Sequence, residues 1–84
     1  MPDPLERKRE QRSQYLKKLY ERTNGSERAI VDMYELGKEL GYDDATTENV
    51  VDYLRGEGFV EPMSLGGGIS ITHRGIVKTE ECLF

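Results

Sequence analysis

Residues 33–60 read MYELGKELGYDDATTENVVDYLRGEGFV, and this stretch decides the fold. Met33, Leu36 and Leu40 recur at helical spacing, and Asp32-Met33-Tyr34-Glu35 has the capping-box pattern that opens a helix. Gly41 closes that short helix. Gly37 lies inside it, where glycine costs about 1 kcal/mol relative to alanine, so close approach of another helix is expected there. Tyr42-Asp43-Asp44 is a tight connection, and Asp43 or Asp44 caps the next helix, which runs to about Gly56. Val50, Val51 and Leu54 face inward, while Thr46, Asn49 and Tyr53 fall on the opposite side. Two short helices joined by three or four residues, with glycine at the turn, match a helix-turn-helix.

Downstream, Phe59-Val60-Glu61-Pro62-Met63 reads as a strand, which Pro62 confines to an edge or to its own end. Ser64-Leu65-Gly66-Gly67-Gly68 is a flexible turn, and Ile69-Ser70-Ile71 alternates as a half-buried strand does. Together they make a β-hairpin. Thr72 caps a last helix carrying Ile76, Val77 and Leu83. Upstream, Ala29-Ile30-Val31 suffices for a three-residue strand. Asp3-Pro4-Leu5-Glu6 starts a first helix, Tyr15, Leu16, Leu19 and Tyr20 form its apolar stripe, and Asn24-Gly25 ends it. Glu6 to Gln14 holds no apolar residue, so residues 1–14 are expected to be a polar, mildly basic helical extension or a disordered arm. A single domain, 15–84, follows. The expected class is mostly α with a small antiparallel β-hairpin (α+β). The expected core is Leu16, Leu19, Met33, Leu36, Leu40, Val50, Leu54, Phe59, Ile69 and Ile71.

Composition bounds the rest. Eighty-four residues, 36% apolar and 33% charged, allow one small core of marginal stability. The single cysteine, Cys82, permits no intramolecular disulfide and fits a reducing compartment, so a cytoplasmic location is expected. No apolar run approaches the ~18 residues of a membrane span, and no secretory h-region opens the chain, so no membrane partner is expected. His73 is the only histidine and has no companions at metal-ligand spacing, which argues against a metal. Cys82 has no local base or nucleophile signature. Asp43-Asp44 and Glu80-Glu81 read as helix-end and surface charges. Gly66-Gly67-Gly68 lacks the Lys-Ser/Thr of a phosphate loop. Neither an enzyme nor a cofactor is expected.

The charges are unevenly placed. Residues 1–23 carry seven Lys/Arg against four acids, whereas the remainder carries five against twelve. The formal net charge is −4.

Three motifs carry a resemblance. Leu36-Gly37-Lys38-Glu39-Leu40-Gly41-Tyr42 looks like the helix-two-and-turn signature of the winged helix-turn-helix superfamily of bacterial and archaeal regulators. Asn49-Val50-Val51-Asp52-Tyr53-Leu54-Arg55-Gly56-Glu57-Gly58-Phe59-Val60 resembles its recognition helix running into the first wing strand. Ile69-Ser70-Ile71-Thr72-His73-Arg74-Gly75 resembles the second wing strand. The likeness covers roughly residues 15–80. It implies a winged helix fold and a DNA-binding transcriptional regulator or DNA-binding module. The third helix would enter the major groove of double-stranded DNA, and a homodimer would supply useful specificity.

On that reading Thr46, Thr47, Asn49 and Tyr53 meet base edges and phosphates, with Arg55 at the helix end. Ser64, Gly66, Gly67 and Gly68 lie along the backbone, and Arg7, Lys8 and Arg9 form a basic arm. Arg12 extends that arm. The third helix carries Asp43, Asp44, Glu48 and Asp52 before its first basic residue, Arg55. The alternative is therefore a winged-helix protein–protein interaction module, in which the acidic third helix and Leu65 meet a basic protein partner.

Overall fold

The computed structural model describes residues 4–82. The elements run α1 (Pro4–Thr23), β1 (Val31–Asp32), α2 (Met33–Glu39), α3 (Asp44–Gly56), β2 (Val60–Pro62), β3 (Gly68–Ile71) and α4 (His73–Cys82). The cap expected at Asp3 and the apolar Leu83 lie outside the described residues.

Side-chain caps set the starts of three helices. The Asp32 carboxylate accepts from the amides of Tyr34 (2.8 Å) and Glu35 (3.2 Å), opening α2. Asp43 accepts from the Thr46 amide at 2.8 Å and opens α3. The Thr72 hydroxyl accepts from the Gly75 amide at 3.0 Å and donates to the Gly58 carbonyl at 2.6 Å, so it opens α4 and ties it to the end of α3. Each cap satisfies an amide that the first helical turn leaves unpaired.

β3 is the central strand of a three-stranded antiparallel sheet, ordered β1-β3-β2. Val60 pairs with Ile71 and Pro62 with Ile69 across the hairpin, while Val31 pairs with Ile69 on the other edge. Pro62 thus ends an edge strand, where its missing amide is tolerated. The strand expected at 29–31 falls at Val31–Asp32 instead. Ile30 is exposed outside it, because pairing with β3 begins only at Val31.

The core forms where α1, α2 and α3 meet the sheet. Leu16, Leu19, Leu36, Val50, Leu54, Ile69 and Ile71 are buried as expected, joined by Tyr15, Val51 and Val60. Met33, Leu40 and Phe59 are only partly buried and pack on its periphery. The Tyr15 hydroxyl donates to the Met33 carbonyl at 2.8 Å, and burial, with Asp32 nearby, raises its pKa well above the usual phenol value.

Two glycines let elements approach closely. A Cβ at Gly37 would lie 2.0 Å from the Thr47 hydroxyl, so α2 and α3 cross there in near contact, as the mid-helix glycine led us to expect. A Cβ at Gly75 would lie 2.2 Å from the Phe59 carbonyl oxygen, which seats α4 against the chain leaving α3.

α1 runs unbroken from Pro4, and residues 4–10 are exposed. Within this polar stretch, side chains from the body reach Gln11, Arg12 and Gln14. The Tyr42 hydroxyl lies 2.8 Å from Gln14 Oε1 and 3.3 Å from the Gln11 carbonyl, and Arg12 stacks on Tyr53. Counting apolar residues misses such contacts, because the aromatic partner comes from another element.

Candidate functional site

α3 presents three surfaces. Thr47, Val50, Val51 and Leu54 face the core. Successive residues turn by about 100°, so Ala45, Asn49 and Asp52 point directly outward and are exposed. Asp44, Glu48 and Arg55 flank them toward α2 and the hairpin, and Thr46, Tyr53 and Glu57 flank them toward α1.

Thr47 does not belong to the outward set where the DNA reading put it. It is 1% exposed, and its hydroxyl is buried with no hydrogen-bond partner among the described residues. At about 100° per residue it falls on the core face with Val50, Val51 and Leu54, and Gly37 of α2 leaves the room that it fills. Asn49, Tyr53 and Arg55 are exposed, and Thr46 is half-buried.

On the hairpin side, Tyr34 donates from its hydroxyl to Glu48 Oε1 at 2.9 Å, and this bond raises the Tyr34 pKa. A groove of about 320 Å³ runs between α2, α3 and the hairpin, with Met33, Tyr34, Val51 and Leu65 among its walls and Asp52 and Arg55 on its rim. Hydrogen bonds tie the turn to α2 and across its own base. The Gly67 carbonyl accepts from the Met33 amide at 2.9 Å, the Gly68 carbonyl from the Met63 amide at 2.8 Å, and the Ser64 hydroxyl from the Gly68 amide at 3.0 Å. Gly67, at φ +98°, fits beneath the Tyr34 ring. Ser64, Gly67 and Gly68 thus build the turn. Leu65 projects from it wholly exposed, and Met63 is half exposed beside it.

On the α1 side, the Arg12 guanidinium carbon sits 3.5 Å from the centroid of the Tyr53 ring. This stack divides two depressions. One, of about 460 Å³, brings Lys8, Gln11 and Arg12 together with Thr46, Asn49 and Val50. The other, of about 300 Å³, lies between α1, α3 and α4. Lys8 and Arg9 therefore border α3, whereas Arg7 lines neither depression. Its charge alone groups Arg12 with the basic arm, and nothing local marks Tyr53 as its partner.

Among the described residues no cluster of three His, Cys, Asp or Glu could hold a metal, and no helix is long and apolar enough to cross a membrane. His73 is exposed at the start of α4. Comparison with known proteins finds no matching family model, no matching curated protein and no matching solved structure.

Proposed function

We propose that this chain is a winged helix module that docks a cationic protein segment between α3 and the β2–β3 hairpin, which serves as the wing. The order helix, strand, two helices, hairpin and helix supports the fold. The carrying observation for the function is Leu65, wholly exposed at the tip of a turn held by hydrogen bonds, on a groove it shares with Asp52 of α3. Asp44 and Asp52 make no ion pair among the described residues. A lone aliphatic side chain in water is unremarkable by itself. Here it lines a groove bordered by Asp52 and Arg55, with Glu48 and Asp44 further along the same side of α3 near Tyr34, which fits a partner offering Arg or Lys around an apolar residue. The same acids repel phosphates, and duplex affinity rests mainly on phosphate contacts.

A second reading is duplex DNA binding, favoured by one observation: Asn49 and Thr46 share a depression with Lys8 and Arg12. Asn49 would read adenine while those cations contact phosphates.

Random-peptide display against the folded chain, with a mixed-sequence duplex titrated in parallel at low salt, separates the two. The expected peptides combine Arg or Lys with an aliphatic or aromatic residue. Their affinity falls about tenfold or more in Leu65→Ser and in Asp44→Lys with Glu48→Lys. Duplex binding by the unaltered chain, strengthened by that charge reversal and weakened by Asn49→Ala, would instead establish the DNA reading.

A further inference from the structure

The cleft between α1, α3 and α4 lies across α3 from the hairpin groove and carries an excess of cations. Arg9, Arg12 and Lys78 line it, with Glu57 as its one carboxylate. None of the three cations makes an ion pair among the described residues. Leu16, Leu54 and Phe59 supply apolar walls. Such a cleft, about 300 Å³ and open on one side, is at the lower limit for a small-molecule site but has room for a side chain or two.

We propose that this cleft is a second docking site, and that it takes an acidic protein segment with an apolar residue at its centre. Charge complementarity carries the argument. Stacking on Tyr53 holds the Arg12 guanidinium in place before any partner arrives, leaving its planar fork of N–H donors for a carboxylate. A side chain ordered in advance loses less entropy on binding. Arg12 also borders the neighbouring depression with Lys8 and Gln11, so an extended segment can lie along α1 and meet cations on either side of its apolar anchor. Nucleic acid fits this cleft poorly. The Tyr53 face on which a base would stack is taken by Arg12, the walls are apolar, and Glu57 repels phosphate. The two sides of α3 would then hold partners of opposite charge.

The test is a titration of the isotopically labelled full chain, followed by backbone amide NMR. The probe is a synthetic glutamate-rich peptide with a central phenylalanine, compared with its phenylalanine-to-alanine form. The acidic peptide should shift the amides of Arg12, Ser13, Tyr53 and Lys78 and leave those of Leu65 and Gly66 in place. Arg12→Glu and Lys78→Glu, on different helices, should each weaken it about tenfold or more, and the alanine peptide should bind as poorly. Leu65→Ser should bind normally. Core amide shifts confirm that each variant is folded. Unmoved cleft amides, or equal binding by Arg12→Glu, overturn the proposal. So does movement of the same amides on raising the concentration of the chain alone, which would make a second copy the occupant. Displacement of the peptide by a short RNA or duplex that shifts the same amides also overturns it.

Discussion

On the α1 side of α3, Tyr53 carries a guanidinium 3.5 Å from its ring; on the hairpin side, Glu48 accepts a hydrogen bond from Tyr34. Both contacts join an aromatic to a charged group at the surface, yet they prepare opposite surfaces. The first fixes a cation in place and leaves its donors for a partner. The second engages Glu48 and leaves Asp44 and Asp52 as the open carboxylates. One helix thus separates a basic cleft from a groove bordered by one acid and one base, Asp52 and Arg55, although the chain as a whole is acidic. Net charge alone therefore says little about which partner each surface accepts.

Leu54→Ala should be the most damaging single change, because Leu54 belongs to the core and also lines the basic cleft. We expect a loss of about 2–5 kcal/mol in thermal or denaturant unfolding, enough to unfold much of so small a domain. A loss below about 1 kcal/mol would mean that the cleft is built independently of the core.

Gly37→Ala should cost about 1–3 kcal/mol, because the added methyl must displace α2 from Thr47. It should also act unequally. The amides of Tyr34 and Glu48 should shift more than those of Arg12 and Tyr53, since α2 carries Tyr34 and the α1 contact does not depend on it. Equal shifts on both sides would show that the two surfaces move together.

Arg12→Ala should cost about 0.5–1 kcal/mol through the lost stacking contact, and the cost should disappear when Tyr53 is already leucine. Tyr34→Phe should cost less than Arg12→Ala, because its hydrogen bond to Glu48 is exposed to water. A double-mutant cycle on each pair measures this difference directly. A larger coupling for Tyr34 with Glu48 would reverse the comparison.

The smallest effect concerns acid. The Thr46 hydrogen bonds at the start of α3 lower the Asp43 pKa. A depressed folded-state value means that Asp43 contributes stability above its unfolded pKa, about 3.9. That contribution is lost as pH falls through the folded value. Asp43→Asn keeps an acceptor at the cap, so its stability should vary less between about pH 5 and pH 2 than that of the unaltered chain, as urea midpoints would report. An unchanged acid profile would remove Asp43 as a titrating cap.

Much of the fold was legible because its signals are local. The caps Asp32, Asp43 and Thr72 bond to amides two or three residues ahead, so each is visible as a short motif. Helical spacing likewise placed Leu36, Val50 and Leu54 inside, and Pro62 marked an edge strand. The site was less legible. Thr47 shares the helical spacing of Val50, Val51 and Leu54, but its polar side chain groups it with Thr46, and only the packing of α2 at Gly37 shows that its hydroxyl is buried.

The sequence by itself determined where the helices begin, which residues share a face and how unevenly charge is spread, because these depend on neighbours a few positions apart. Tertiary structure alone decided that β1 joins the sheet, since two residues hold as a strand only against an edge already formed by β3. It also decided that Arg12 meets Tyr53 and that Lys78 closes the same cleft as Arg9. Those side chains come from three helices, and no spacing along the chain encodes the angles at which helices cross.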